Sequence, residues 1–212
     1  MPDPVARSPI RPAAPAVVAG WEVEGAAPGT AQLTLADMSA LAKTLVRAPA
    51  NGAMAGALGV PFARAARDAS GALVTGSGPG EWTVFGAVGE GTAQRARLEA
   101  VAAGLGLAGG ELITVLDLTH GRALVRLTGP AAPALLAKVC AIDLAGHRTP
   151  DGTALRSSVA KLTTDLVRDD QEAVPSYLLH GERSYGQYLF EALLDAGAEF
   201  GIEVGSFPAS SR

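Results

Sequence analysis

Cysteine is nearly absent: Cys140 alone represents it in 212 residues, so no disulfide can form within the chain and a reducing compartment is expected. Aromatic residues make up only 5% of the chain. A core of Ala, Val and Leu buries less apolar area per residue, so a partner surface is expected to complete its stability. No charge of one sign dominates. The net charge is −4, with basic and acidic residues mixed along the chain, and there is no Lys/Arg stripe of the kind that tracks a phosphate backbone or an anionic membrane. Long apolar runs are missing too. Val17-Val18-Ala19 is far too short for a signal-peptide core or a membrane span, and no charged segment precedes it. A cytoplasmic, soluble protein with neither nucleic acid nor membrane as a partner is therefore expected.

Motifs of catalysis are equally scarce. The three histidines, His120, His147 and His180, fall at no metal-ligand spacing with each other or with Cys140. His120 and His180 each precede a glycine at a strand end, where turn or surface histidines belong. Cys140 follows an apolar helix, Lys138 notwithstanding, and reads as a small buried hydrophobe. Gly104-Leu105-Gly106-Leu107-Ala108-Gly109 has the letters of a dinucleotide loop but closes a helix instead of opening one, so it reads as a glycine C-cap. Gly76 to Gly80 reads as a turn, and no Walker lysine or nucleophile elbow occurs. Asp37 and Asp117 each precede a hydroxyl residue by two positions; turn chemistry, in which the carboxylate accepts from nearby backbone N–H groups, explains both. Asp165, Arg168, Asp169 and Asp170 read as solvated strand-end charges. No residue is assigned a catalytic, cofactor-binding or metal role.

What is present is order. Leu33-Thr34-Leu35-Ala36-Asp37-Met38-Ser39 matches Ile113-Thr114-Val115-Leu116-Asp117-Leu118-Thr119. Thr44 to Arg47 then matches Ala123 to Arg126, Trp82 to Gly86 matches Tyr177 to Gly181, and Leu98 to Val101 matches Phe190 to Leu193. Four blocks in one order argue for a duplicated unit. Each unit is predicted as strand–strand–helix–strands–helix, giving an α+β fold of two subdomains packed as one body. Strands are predicted over 33–37, 43–47, 72–75 and 82–86, and again over 112–117, 122–128, 158–168 and 176–180. Asn51 is the expected N-cap of the first short helix, and Gly129-Pro130 the opening of the second. The closing helices show apolar residues at helical spacing: Leu98, Val101, Ala102 and Leu105 in one, and Leu189, Leu193, Ala196 and Phe200 in the other. Ser184-x-x-Gln187 has the form of a capping box at the start of the latter. The proline-rich residues 1–25 are expected as an extended arm, 26–110 and 111–204 as the two subdomains, and 205–212 as a tail.

Beyond these patterns the chain resembles a known family. Gly80-Glu81-Trp82-Thr83-Val84, the run from Ile113 to Ala123, Leu127 to Ala132, Leu135 to Leu144, Arg183 to Leu189 and Leu193 to Gly197 occur in the order found in gamma subunits of heterotetrameric sarcosine oxidase. The block 117–144 carries most of the specificity, while residues 155–168 match loosely and Phe190 stands where the family often has Trp. That family is similar to the folate-binding domain of the glycine-cleavage T-protein, itself built of two similar subdomains. The resemblance implies an oxidoreductase complex that demethylates sarcosine to glycine, with formaldehyde or methylene-tetrahydrofolate and hydrogen peroxide as further products. It implies partners of alpha, beta and delta type, which hold FAD, FMN, NAD, tetrahydrofolate and zinc, and a gamma chain with no cofactor or active site of its own. The alternative is a stand-alone folate-binding, aminomethyltransferase-like protein. A third reading, a folate-fold protein of iron–sulfur maintenance, ranks last because Lys138 and Cys140 are all that remain of its motif.

Overall fold

The computed structural model describes residues 4–26, 31–105 and 110–208. In chain order the arm holds β1 (Ala6–Arg7), β2 (Pro15–Val18) and β3 (Trp21–Glu24). There follow β4 (Thr34–Asp37), β5 (Leu41–Arg47), α1 (Ala53–Leu58), β6 (Ala65–Arg67), β7 (Leu73–Gly78), β8 (Glu81–Val88) and α2 (Gly91–Gly104). The second half runs β9 (Thr114–Asp117), β10 (Arg122–Thr128), α3 (Ala132–Val139), β11 (Ala154–Val159), β12 (Leu162–Arg168), β13 (Ser176–Glu182), α4 (Gly186–Gly197) and β14 (Glu203–Gly205).

Three sheets form: β1-β3-β2, the six-stranded β11-β12-β13-β10-β4-β14, and the five-stranded β6-β7-β8-β5-β9. Side-chain alternation explains how the two larger ones stack. In β8, Trp82 and Val84 point to a cluster with Met54 of α1 and Leu98 of α2, while Phe85 points the other way. In β13, Tyr177 and Leu179 face Leu135, Leu136, Leu189 and Leu193 of α3 and α4, while Leu178 faces back. The inward-facing Leu73, Phe85, Leu124, Val167 and Leu178 form one cluster between the sheets. The result is four layers, helices–sheet–sheet–helices, so each sheet is covered on both faces. Backbone bonds from Ala154 N–H to Ala63 O (3.1 Å) and from Ala65 N–H to Gly152 O (2.8 Å) tie the sheets together along one side.

Strand pairing crosses position 110/111 in both directions. β4 joins β10 in the six-stranded sheet, and β9 joins β5 in the five-stranded one. Val125 stands opposite Asp37, and Thr44 opposite Asp117. Measured from these aspartates, Thr44 corresponds to Val125, not to the Ala123 of the sequence blocks. Val84 opposite Thr44 and Leu179 opposite Val125 do agree with the blocks.

Several local expectations are corrected. Residues 158–168 form not one strand but the end of a hairpin of β11 and β12, whose turn places Ala160 and Lys161 at φ 49° and 68°. Two adjacent residues in the left-handed region carry no glycine or asparagine signal, which hid the turn. Asn51 does not cap α1: the N-cap is Gly52, and the Glu111 carboxylate accepts from Ala53 N–H at 3.2 Å instead. α3 starts at Ala132 with Pro133 in its first turn, two residues beyond Pro130. A 3-10 turn over Arg183–Tyr185 precedes α4, so the capping box does not form, and Gln187 accepts from the N–H of Arg11 at 2.8 Å.

The arm is extended, yet it is built into this chain. Ile10 is buried among α4 and the six-stranded sheet, and Arg183 donates to Arg7 O at 2.6 Å. The expected tail begins inside β14, which pairs parallel with β4, and Phe207 is buried between the sheets. Cys140 is buried, in keeping with the apolar helix it follows.

Candidate functional site

The charged residues that the fold brings together lie in its middle. Asp37 and Asp117 end β4 and β9, and each bends the chain in the same way: Asp37 accepts from Ser39 N–H at 2.9 Å and Asp117 from Thr119 N–H at 2.8 Å. Each turn then extends the pairing of its strand with a strand of the other half in the same sheet, β4 on β10 and β9 on β5. Ser39 Oγ accepts from Leu124 N–H at 3.1 Å, and Thr119 Oγ1 accepts from Lys43 N–H at 3.1 Å. Met38 N–H donates to Leu124 O, and Leu118 N–H to Lys43 O.

Lys43 is fully buried here. Its Nζ donates to Ser39 O and Leu41 O, both at 2.7 Å. Burial drives its pKa down to about 7, against the pull of Asp37 and Asp117. Asp37 is held above the ordinary carboxylate range by burial, although Ser39 and Ser8 both donate to it. On the facing strands His180 is buried in mid-β13, its ring meeting Phe85 edge-on at 5.4 Å. It is not the surface or turn residue that its glycine neighbour suggested. Asp165 lies 3.6 Å from His180 Nδ1. Burial lowers the imidazole pKa, so the ring is neutral at pH 7. Burial would raise Asp165, but His180 and the Arg156 guanidinium, 2.5 Å away, outweigh it and hold this carboxylate low. Asp165 is thus a buried partner between neighbouring strands of the six-stranded sheet and not a solvated strand end. Its neighbours sit at the strand end but are also paired and largely shielded rather than solvated: Arg168 pairs with Asp170 at 3.0 Å, and Asp169 with Arg126 at 2.7 Å.

This seam has acids, a base and an imidazole, but its oxygens and nitrogens are mostly spent on each other and on backbone. Lys43 cannot meet a substrate in this packing. His180 Nε2 is the one buried side-chain polar atom among the described residues without a hydrogen-bond partner, and it lies sealed under Phe85. The remaining residues singled out from sequence stay apart. His120 sits exposed at its turn, stacked on Trp21 of β3 at 4.6 Å. His147 is exposed in a loop. Cys140 has Ser157 Oγ at 3.7 Å as its polar neighbour. Gly104 ends α2, and residues 106–109 of the glycine run lie outside the described residues. No group of three His, Cys, Asp or Glu side chains suited to a metal occurs among the described residues, and none of their helices is long and apolar enough to cross a membrane.

A second feature escaped the sequence entirely. Away from the side where the sheets are tied, they part around a cavity of about 1010 Å³. Met38, Leu41, Leu73, Phe85 and Leu178 wall it, and α2 flanks it. Nothing in sequence spacing signals a space that two separate sheets enclose.

The fold places the chain among proteins with the two-sheet body of the T-protein. Over 91% of this chain and 55% of the other, it superposes on aminomethyltransferase T of the glycine cleavage system from Bartonella henselae, with a TM-score of 0.66 and 18% identity, a likeness of fold. It also superposes on a chain of heterotetrameric sarcosine oxidase from Corynebacterium sp. U-96, solved in complex with pyrrole 2-carboxylate, with a TM-score of 0.66 and 26% identity over 82% of this chain and 88% of that one. No protein-family profile matches the chain. Among curated sequences it is 30% identical to the sarcosine oxidase gamma subunit of Arthrobacter over 152 residues, 70% of each chain. The gamma subunit of Corynebacterium strain U-96 is 30% identical over 70% of this chain and 68% of its own. That of strain P-1 is 32% identical over 89 residues, a match that spans 42% of each. The chain belongs to the sarcosine oxidase gamma subunit family.

Proposed function

We propose that this chain is the gamma subunit of a heterotetrameric sarcosine oxidase, an assembly subunit of a complex that oxidatively demethylates sarcosine to glycine. The observation that carries this is the likeness to a chain of that heterotetramer over most of both lengths, at 26% identity. In this reading alpha, beta and delta subunits are its partners, and they hold the FAD, FMN, NAD, tetrahydrofolate and zinc. The buried seam then serves architecture: it locks two sheets together and leaves no acid or base for chemistry. Exposed apolar side chains such as Phe62, Tyr185 and Tyr188 supply surface for partners. The complex resides in the cytoplasm.

The same reading includes an internal duplication, with subdomains over 26–110 and 111–204 between the arm and the tail. Its support is the matching turn at Asp37 and Asp117 and the common register of Val84 with Leu179. If the two are copies, they have exchanged their first strands, which makes either half incomplete without the other.

A tagged copy purified from the native cell tests the assignment. We expect near-stoichiometric larger subunits and flavin absorbance in the eluate. A colourless eluate containing only this chain would sink the proposal and turn attention to folate binding by the isolated protein.

A further inference from the structure

We propose that the cavity between the sheets is a binding site for a small aromatic acid that also carries an N–H or O–H donor. Three observations converge, none of which depends on the assembly role above. The first is size and lining. About 1010 Å³, walled by Phe85, Leu73 and Leu178, accommodates a two- or three-ring molecule, at the upper end of the roughly 300–1000 Å³ typical of ligand pockets.

The second is an unused acceptor. Gln94, on the inner face of α2, is 5% exposed. Its Nε2 donates to Thr44 Oγ1 at 2.9 Å and to Val84 O at 2.8 Å. The carbonyl of Val84 can only accept, so this fixes which end of the amide points where. Oε1 is left over: it makes no hydrogen bond among the described residues and lies on the cavity wall above Gly86, where a Cβ would come within 2.1 Å of it. An amide oxygen that has no partner within the protein and opens on a cavity is free to accept from a donor on a bound molecule.

The third is charge at the rim. Arg67 and Arg126 both bind the carboxylate of Asp169, at 3.2 and 2.7 Å, which leaves one positive charge in excess. Arg97, also on the rim, is balanced by Asp68 at 3.2 Å, and Glu90 offsets the excess over the rim as a whole, so the positive charge is local to Arg67, Arg126 and Asp169. Two guanidiniums held in place by one aspartate are preorganised to receive a second acid. The apolar body would fill the cavity, its donor would reach Gln94, and its acid would sit by Arg67 and Arg126.

The probe for the test is 1-anilinonaphthalene-8-sulfonate, which has an aromatic body, an anilino N–H and an acid, titrated into the full chain and followed by fluorescence. We expect saturable one-to-one binding that 2-naphthoate displaces. Ala93→Trp, at an exposed helix position lining the cavity, should weaken it at least tenfold, and Arg67→Gln about threefold to tenfold. Leu112→Ser, at an exposed apolar site elsewhere, should leave it unchanged. Circular dichroism melts establish that each variant is folded. Non-saturable binding would overturn the proposal. So would affinity that survives both Ala93→Trp and Arg67→Gln within twofold, or is lost in Leu112→Ser.

Discussion

The two halves use one turn and one closing helix each, and they use them differently. At Asp37 the turn is roofed by the arm: Ser8 donates to the carboxylate, Trp21 and Val23 pack nearby, and Asp37 is buried. At Asp117 the same turn leaves its aspartate exposed, beside Gly91 at the start of α2. The helices diverge likewise. α4 buries Leu189, Phe190, Leu193 and Ala196, whereas α2 buries one large apolar residue, Leu98, along with Gln94 and Gly91, and leaves Val101 38% exposed. Local sequence sets the turn and the helix in both halves. What lies over them sets how much they contribute. α2 flanks a cavity, and the weaker apolar face belongs there.

Paired substitutions can break that comparison. Leu193→Ala removes a fully buried side chain from the larger core and should cost about 3–5 kcal/mol. Leu98→Ala, in the smaller cluster under α2, should cost about 2–3 kcal/mol, because a helix that buries one large apolar residue can settle over the gap. Chemical denaturation of both variants gives the difference, and equal losses would mean that the two helices seal their sheets equally. Asp37→Ala strips Ser8, Ser39 N–H and Lys43 of a buried partner, and should cost about 1–3 kcal/mol. Asp117→Ala removes one exposed turn bond and should cost about 0.5–1 kcal/mol. If Asp117 proved the more damaging, the arm would not be a roof.

The layers of this fold were legible where periodicity was strong. Strand 122–128 and the helix around Leu189, Leu193 and Ala196 are seen as expected, because a long run at one period leaves few alternatives. The short caps failed, since Glu111 caps α1 in place of Asn51, while Ser184 falls within a 3-10 turn and Gln187 is taken by Arg11. The burial of the central seam was hidden for a related reason. Lys43 and His180 look like ordinary strand residues, and only the stacking of two sheets buries both. The pairing of β4 with β10 and of β9 with β5 has no local signal either, because each strand pairs well with whichever neighbour the topology offers.

The buried lysine gives the finest test of that stacking. An exposed lysine titrates at 10.5, and Lys43 in the folded protein at about 7. Between those values the unfolded chain holds a proton that the folded chain has released. Unfolding therefore takes up a proton, and stability rises with pH from about 7 toward 10.5. Below pH 7 both states are protonated, and the penalty is full and constant. One proton sets an upper slope of about 1.4 kcal/mol per pH unit, and we expect about 0.5–1 kcal/mol per unit after relaxation around the site. Lys43→Met removes that proton, so wild type minus variant isolates it from other groups that titrate at high pH. The difference in unfolding free energy should shift in favour of the wild type as pH is raised from 7 to 9.5. A difference that stays flat would mean Lys43 keeps its charge through its bonds to Ser39 O and Leu41 O. The seam would then be a satisfied ion site and not a strained one.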